Sequence, residues 1–493
     1  MKKKLSRFAL IAVGLVTLFA FAACQAGDLV GAGADDGTFG ASESLARAAG
    51  GKGKPAGDNG NLRLNVVLNT DVTDSIRAEV SQIGRIADEI LAIDALVVRA
   101  KADAIDALAS LPYVASVNPD AERNIPPDVS LPVDDFGDGL STWNLDVVNV
   151  TDIGFGNRQV AYDGEGVYVA VLDTGLVKNW RYYFPEERIA VEYAKSFTGS
   201  DNGTVAEQPN KWEHDTDSHG THVTSTVIGY NFGTVSSVTP INGVAPLATV
   251  IPVKVLNNNG SGWSSMVAAG ITHIGDLKAG PLADSPVVIN MSLGGPSLDA
   301  IEKAAIDYAI ERGVIIVASA GNSGELGMGY PGAYEPVISV AASGWAGEWY
   351  PAGNRAWWYN VDDPELGTTE LYYITDFSSR ELPGQDLDVA APGSWVVGPY
   401  QLNQGNTSYY FLGGTSMASP HVAGIAALMA QKNGSLVQSE VETILEATAL
   451  PFLHTTLTVP TPSGAEVEYE WGADATGAGL ATADAALAAV AEP

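Results

Sequence analysis

Continuous apolar runs separated by helix-length stretches constrain this chain more than any other feature. The runs are 167–172, 250–256, 287–293, 314–319 and 337–341, and segments such as 266–277 and 298–312 between them have helical character. A strand that is apolar on both faces has to be covered on both faces. Such strands, alternating with helices, predict an α/β fold: a mostly parallel sheet with helices on both sides. The 493 residues exceed what one core usually holds, roughly 250–300 residues, so a further unit is expected. With 46% hydrophobic and 17% charged residues, most of the chain can bury a core, and disorder is excluded for it.

The further unit precedes the sheet. Residues 62–69 alternate like a half-buried strand. Helical spacing follows over 73–83, with Asp71 or Thr73 as N-cap. Strand-like runs at 89–93 and 96–100, a helix over 102–111 and a last strand at 113–117 complete the order β-α-β-β-α-β. That order predicts a small ferredoxin-like α+β domain over 61–120. Residues 24–60, rich in Gly, Ala, Asp and Ser, read as a flexible tether, and the proline-containing stretch 121–142 as a linker. Residues 344–376 interrupt the strand and helix rhythm. They hold Trp345, Trp349, Tyr350, Trp357 and Trp358 among several acids, and are expected to form a long surface insertion.

The N-terminus sets the compartment. Lys2, Lys3, Lys4 and Arg7 precede an apolar stretch over 8–23, which is the pattern of an export signal over 1–23. Phe21-Ala22-Ala23-Cys24 resembles the lipobox of bacterial lipoproteins, although the family usually has Leu where Phe21 stands. The resemblance implies lipidation of Cys24 and attachment of the precursor to a membrane. Cys24 is the single cysteine, so no intrachain disulfide forms. The formal net charge of -32 argues against nucleic acid as a partner, because phosphate contacts require clustered Lys and Arg.

Four segments carry candidate chemistry. Asp173 ends an apolar run, and the carboxyl ends of strands are where open α/β sheets bind ligands; an Asp there also caps turns. His219 and His222 lie three apart with no Glu between them, so the zinc-protease pattern H-E-x-x-H is not met. His219, beside Gly220 at a helix start, can face a cleft, whereas His222 lies deeper and reads as structural. Ser416 follows Gly413-Gly414-Thr415, where glycines permit a sharp turn and Thr415 can cap the next helix. Taking Pro420 as a first-turn residue starts that helix near Ser416. The helix is apolar nearly all round, so Ser416 would stand at the positive end of a buried dipole. Asn322 lies in the Gly-rich turn 318–324, as an amide donor to an oxyanion or as an ordinary turn Asn. Two patterns mislead. Residues 327–332 match G-x-G-x-x-G but open no helix. Residues 414–418 nearly match the G-x-S-x-G elbow without the acid and His that should follow.

Together these segments resemble the subtilisin-like serine peptidases. Asp173, His219 and Ser416 stand in the order Asp…His…Ser. Asp-Thr-Gly, His-Gly-Thr-His-Val and Gly-Thr-Ser-Met-Ala-Ser-Pro-His-Val-Ala-Gly look like the three signature blocks. Gly243–Pro246, Met291–Gly295, Ala320–Asn322 and Ala391–Gly393 also resemble the family in its order, over about 143–490. Thr224-Ser225 departs from the common Ala-Gly. The resemblance implies a secreted serine endopeptidase acting on proteins or peptides. Asp173, His219 and Ser416 would be its triad, Asn322 and the Ser416 N–H its oxyanion donors, and Ser292-Leu293-Gly294 the edge that pairs with substrate. It further implies that 61–120 is an inhibitory propeptide, cut off within 121–142. Export and this cut would leave an extracellular mature domain. The chemistry would need no cofactor. Structural Ca²⁺ is expected from oxygen-rich loops such as 257–259, but the ligands are unknown from sequence. The alternative is a catalytically silent, envelope-attached binding protein that uses the aromatic insertion as its contact surface.

Overall fold

The computed structural model describes residues 61–492, apart from 127–128, 133–142, 152–157, 199–204, 235–236, 350–366, 401–407 and 462–464. The signal, Cys24, the tether, most of the 121–142 linker, and Trp357 and Trp358 therefore lie outside the described residues.

The sequence alternation at 62–69 produces the strand Leu62–Leu68. Thr73 caps the helix Asp74–Ile83, its Oγ1 accepting from Ile76 N at 3.3 Å. Strands Arg85–Ile90 and Ala95–Ala100, helix Ala104–Ala109 and strand Val114–Pro119 follow. The four strands form one antiparallel sheet, in which Leu62–Leu68 pairs with both Ala95–Ala100 and Val114–Pro119, and Arg85–Ile90 lies at an edge. The run expected at 89–93 is displaced. The strand starts at Arg85, and 91–93 form a short 3-10 turn. An edge strand needs little apolar content, and here Ile90 alone is buried.

The large sheet follows the apolar runs. Its centre is Tyr168–Asp173, flanked in parallel by Val287–Met291 on one side and Thr249–Lys254 on the other. Val314–Ser319, Ile338–Trp345 and Val389–Pro392 extend it in parallel on the first side. Side chains alternate between two cores, as strand geometry requires. Val169 and Val171 join one cluster, with the helices His219–Ile228 and Thr415–Lys432. Ala170 and Leu172 join the other, with Ser264–Ala279 and Ala300–Ile310. The expected helix-covered parallel sheet is thus present.

The described aromatic side chains at the two ends of this segment are not on the surface. Trp345 and Trp349 are buried in the first core, and Tyr372–Ile374 adds a fully buried antiparallel strand beside Ile338–Trp345. Their anchor is Glu348, which accepts from Trp345 N at 2.7 Å and from Ser394 Oγ at 2.9 Å. Aromatic rings among acids read as surface from composition, whereas here the rings pack inward and one acid is hydrogen-bonded among them.

Candidate active site

Asp173 ends the central strand and is buried. His219 opens its helix, and its Nδ1 stands 2.9 Å from each Asp173 carboxylate oxygen. A carboxylate only accepts, so Nδ1 carries the proton and Nε2 is the basic nitrogen. The sequence permits this approach because residue 220 is glycine. A Cβ there would lie 2.4 Å from Gly175 O and 3.1 Å from Asp173 Oδ1.

Asp215 holds the chain just before His219. It accepts from Ser218 N at 2.8 Å, Asp217 N at 3.0 Å and Thr174 Oγ1 at 2.8 Å. Ser218 itself has φ 85°, the left-handed region, which a non-glycine residue occupies only when its surroundings fix it. Burial pushes Asp215 up to about 6, opposed by Lys254, whose Nζ is 3.7 Å away. Sequence reasoning missed this acid; its signal was a carboxylate four residues before the His.

Ser416 is the second residue of the helix Thr415–Lys432. Its Oγ is buried and makes no hydrogen bond. The structure therefore closes the Asp173–His219 pair but forms no bond from His219 to Ser416. The start of the helix differs from expectation. Gly414 is the cap residue, and the Thr415 hydroxyl instead donates to Asn322 Oδ1 at 2.8 Å. Thr415 N donates to the same oxygen at 2.9 Å, which fixes the amide's orientation and puts Nδ2 at its other end. Pro420 is the helix's sixth residue and lies beyond the first turn. His222 and His421 are structural. His222 Nε2 contacts Val396 O at 3.1 Å, and His421 Nδ1 contacts Met417 O at 2.8 Å. Burial pushes them down to about 3 and about 4, so both are neutral near pH 7.

An extended piece of the chain lies in the cleft. Glu122–Asn124 pairs antiparallel with Ser261–Trp263 on one side. That side continues with Ile125 N donating to Gly260 O at 2.9 Å, and on the other side Asn124 and Gly294 exchange two backbone bonds of 3.0 Å. Ile125 and Pro126 line a pocket together with Asp217 and Leu412, residues that lead into the His219 and Ser416 helices. Leu293 is fully buried, and Ser292 directs its hydroxyl to Ser416 O at 2.8 Å. Further along, Val129–Pro132 pairs with Tyr409–Gly413, Val129 standing opposite Gly413.

The profile of the subtilase family matches residues 164–478. The chain belongs to the subtilase family. Its serine-type endopeptidase chemistry goes with that membership. This subtilase is 35% identical to subtilisin DY from Bacillus licheniformis over 292 residues, which cover 58% of this chain and 85% of that protein. It is 32% identical to thermitase from Thermoactinomyces vulgaris over 287 residues, covering 58% and 82% of the two chains. Among solved structures, it resembles fervidolysin from Fervidobacterium pennivorans, a keratinolytic enzyme related to subtilisin. The TM-score is 0.62 at 25% identity, over 89% of this chain and 63% of fervidolysin.

Away from the cleft, this subtilase brings Asp386, Asp388 and Glu442 together, with one carboxylate oxygen from each within 4.8 Å of the others. Asp388 is fully buried, and its Oδ1 makes no hydrogen bond. Burial and the neighbouring acids push Asp388 and Glu442 each up to about 7. The Asn257 side chain accepts from Asn259 N and Ser261 N, within its own turn.

Proposed function

We propose that this subtilase is made as an exported, lipid-anchored precursor, and that Asp173, His219 and Ser416 form its triad. The observation that carries the assignment is the bond from His219 Nδ1 to both Asp173 oxygens, beside a cleft that holds an extended strand. Ser416 Oγ attacks the scissile carbonyl as His219 Nε2 takes its proton. The proton then passes to the leaving amine, and Asp173 stabilises the imidazolium. The Asn322 amide and the Ser416 backbone N–H bind the oxyanion, and the acyl-enzyme is hydrolysed by the reverse sequence. Extended protein or peptide segments add as a strand to Ser292-Leu293-Gly294.

The unit at 61–120 acts as the inhibitor in this reading, with the strand after it lying as a substrate would. Its docking uses buried polar groups. Asp120 accepts from Arg63 Nε at 2.8 Å, Ser265 Oγ at 2.7 Å and Ser265 N at 3.0 Å, at the start of a peptidase helix. Self-cleavage within 121–142 yields the mature enzyme. Cys24 lies upstream of that cut, so maturation frees the catalytic domain once the propeptide dissociates. Asp386, Asp388 and Glu442 are hard oxygen donors that would suit Ca²⁺, a stabilising rather than catalytic ion.

Ser416→Ala tests the assignment. The variant is expected to accumulate as uncut precursor, to hydrolyse no peptide and to resist fluorophosphonate labelling, while the parent cuts itself, hydrolyses peptides and is labelled. Hydrolysis or self-processing by the variant sinks it. Absence of labelling in the parent favours the silent binding protein instead.

A further inference from the structure

The helix that carries Ser416 has an internal proline. In an α-helix the carbonyl of residue i accepts from the N–H of residue i+4. Residue 420 is proline and has no N–H, so the Ser416 carbonyl lacks its ordinary helical donor. A buried carbonyl without a partner is costly, roughly 1–3 kcal/mol. Here the Ser292 hydroxyl donates to Ser416 O at 2.8 Å.

That bond belongs to a chain of three. Asn290 Nδ2 donates to Ser292 Oγ at 3.1 Å. Asn290 Oδ1 accepts from Ser419 Oγ at 2.7 Å. The path leaves the helix at Ser416, crosses to the end of the strand Val287–Met291, and returns to the same helix at Ser419. All four residues have no exposed surface. Ser292 lies two residues before Gly294, whose backbone pairs with the cleft strand.

We propose that Ser292, oriented by Asn290, is a positioning residue for Ser416, acting through the carbonyl that Pro420 leaves available. This rests on the reading of Ser416 as the nucleophile. Fixing the carbonyl fixes ψ at Ser416, and with it the direction in which Cβ and Oγ stand. It also ties the nucleophile to the substrate-binding edge, so that one hydrogen bond sets the distance from attacking atom to scissile bond. Misplacement by about 1 Å costs on the order of a hundredfold in rate, so a partial loosening should cost about tenfold.

A double-mutant cycle of Ser292→Ala and Pro420→Ala tests the proposal in the matured enzyme. Peptide hydrolysis and the rate of fluorophosphonate labelling are the readouts. Ser292→Ala alone should lower kcat and the labelling rate about tenfold while changing KM less than threefold. Pro420→Ala returns an N–H to the helix, which can satisfy Ser416 O directly. In that background Ser292→Ala should cost less than twofold. An equal loss in both backgrounds, or a loss confined to KM, overturns the proposal. If Ser292→Ala does not fold, Ser292→Thr against Ser292→Val compares equal shapes with and without the hydroxyl. Thr is then expected to be the faster by about tenfold, and equal rates overturn the proposal. Ser416→Ala in parallel separates the two readings, since residual hydrolysis there rejects the nucleophile itself.

Discussion

Glu348 is an acid among aromatic rings, and burial pushes its carboxyl up to about 8. The folded protein therefore holds this proton at a pH where the unfolded chain, near 4.5, has released it. Its contribution to stability is fully present below about pH 4.5 and is lost as pH rises towards 8. Glu348→Gln, which resembles the protonated acid, should flatten that slope. Measured by calorimetry between pH 5 and 8 in the Ser416→Ala background, the variant's Tm should gain on the parent's steadily with pH. A constant difference between the two rejects the assignment. At this scale the sequence was readable where chemistry imposes a local pattern. Asp173, His219 and Asn322 lie at or beside turns whose glycines and flanks announce them. What Ser292 does was not readable, because its hydroxyl answers a proline 128 positions away. The anchoring by Glu348 was hidden for the same reason, since composition does not say which way a Trp points.

The elements follow from periodicity, and the interface between them does not. Apolar runs predicted the central strands to within a few residues, because a strand buried on both faces can hardly be written otherwise. The edge strand Arg85–Ile90 was misplaced because its apolar positions are interrupted by charges. The hairpin Thr456–Pro460 with Glu466–Glu470 was not foreseen, being mostly exposed on its second strand. Between the N-terminal sheet and the peptidase helices lies a feature no local pattern announces. Arg123, on the cleft strand, pairs with Glu302 of the helix Ala300–Ile310 at 2.5 Å, and both side chains are fully buried. Breaking a buried pair by removing one partner costs about 3–5 kcal/mol, because the other charge is left uncompensated. Arg123→Ala should therefore weaken inhibition by a 61–126 propeptide added in trans by at least a hundredfold, read as Ki against the mature enzyme. A change under threefold would mean that Glu302 is relieved by water as soon as its partner leaves.

Across the whole molecule, charge is the unbalanced quantity. The formal net charge is -32, and Asp386, Asp388 and Glu442 concentrate three acids in one place. A divalent cation there would offset repulsion that folding otherwise has to overcome. Adding Ca²⁺ to chelated Ser416→Ala protein should raise Tm by several degrees, and Asp388→Asn should abolish the gain. An unchanged Tm would leave the cluster as three acids that share protons. The cleft strand carries a consequence of another kind. Backbone bounds it on both sides, so the space is one chain wide. A helix, or a strand still held in its own ladder, does not enter. A folded target becomes accessible only in the moments when a segment opens locally, and each 1.4 kcal/mol required for that opening slows cleavage about tenfold. Such an enzyme sorts its targets by their dynamics before it reads their side chains.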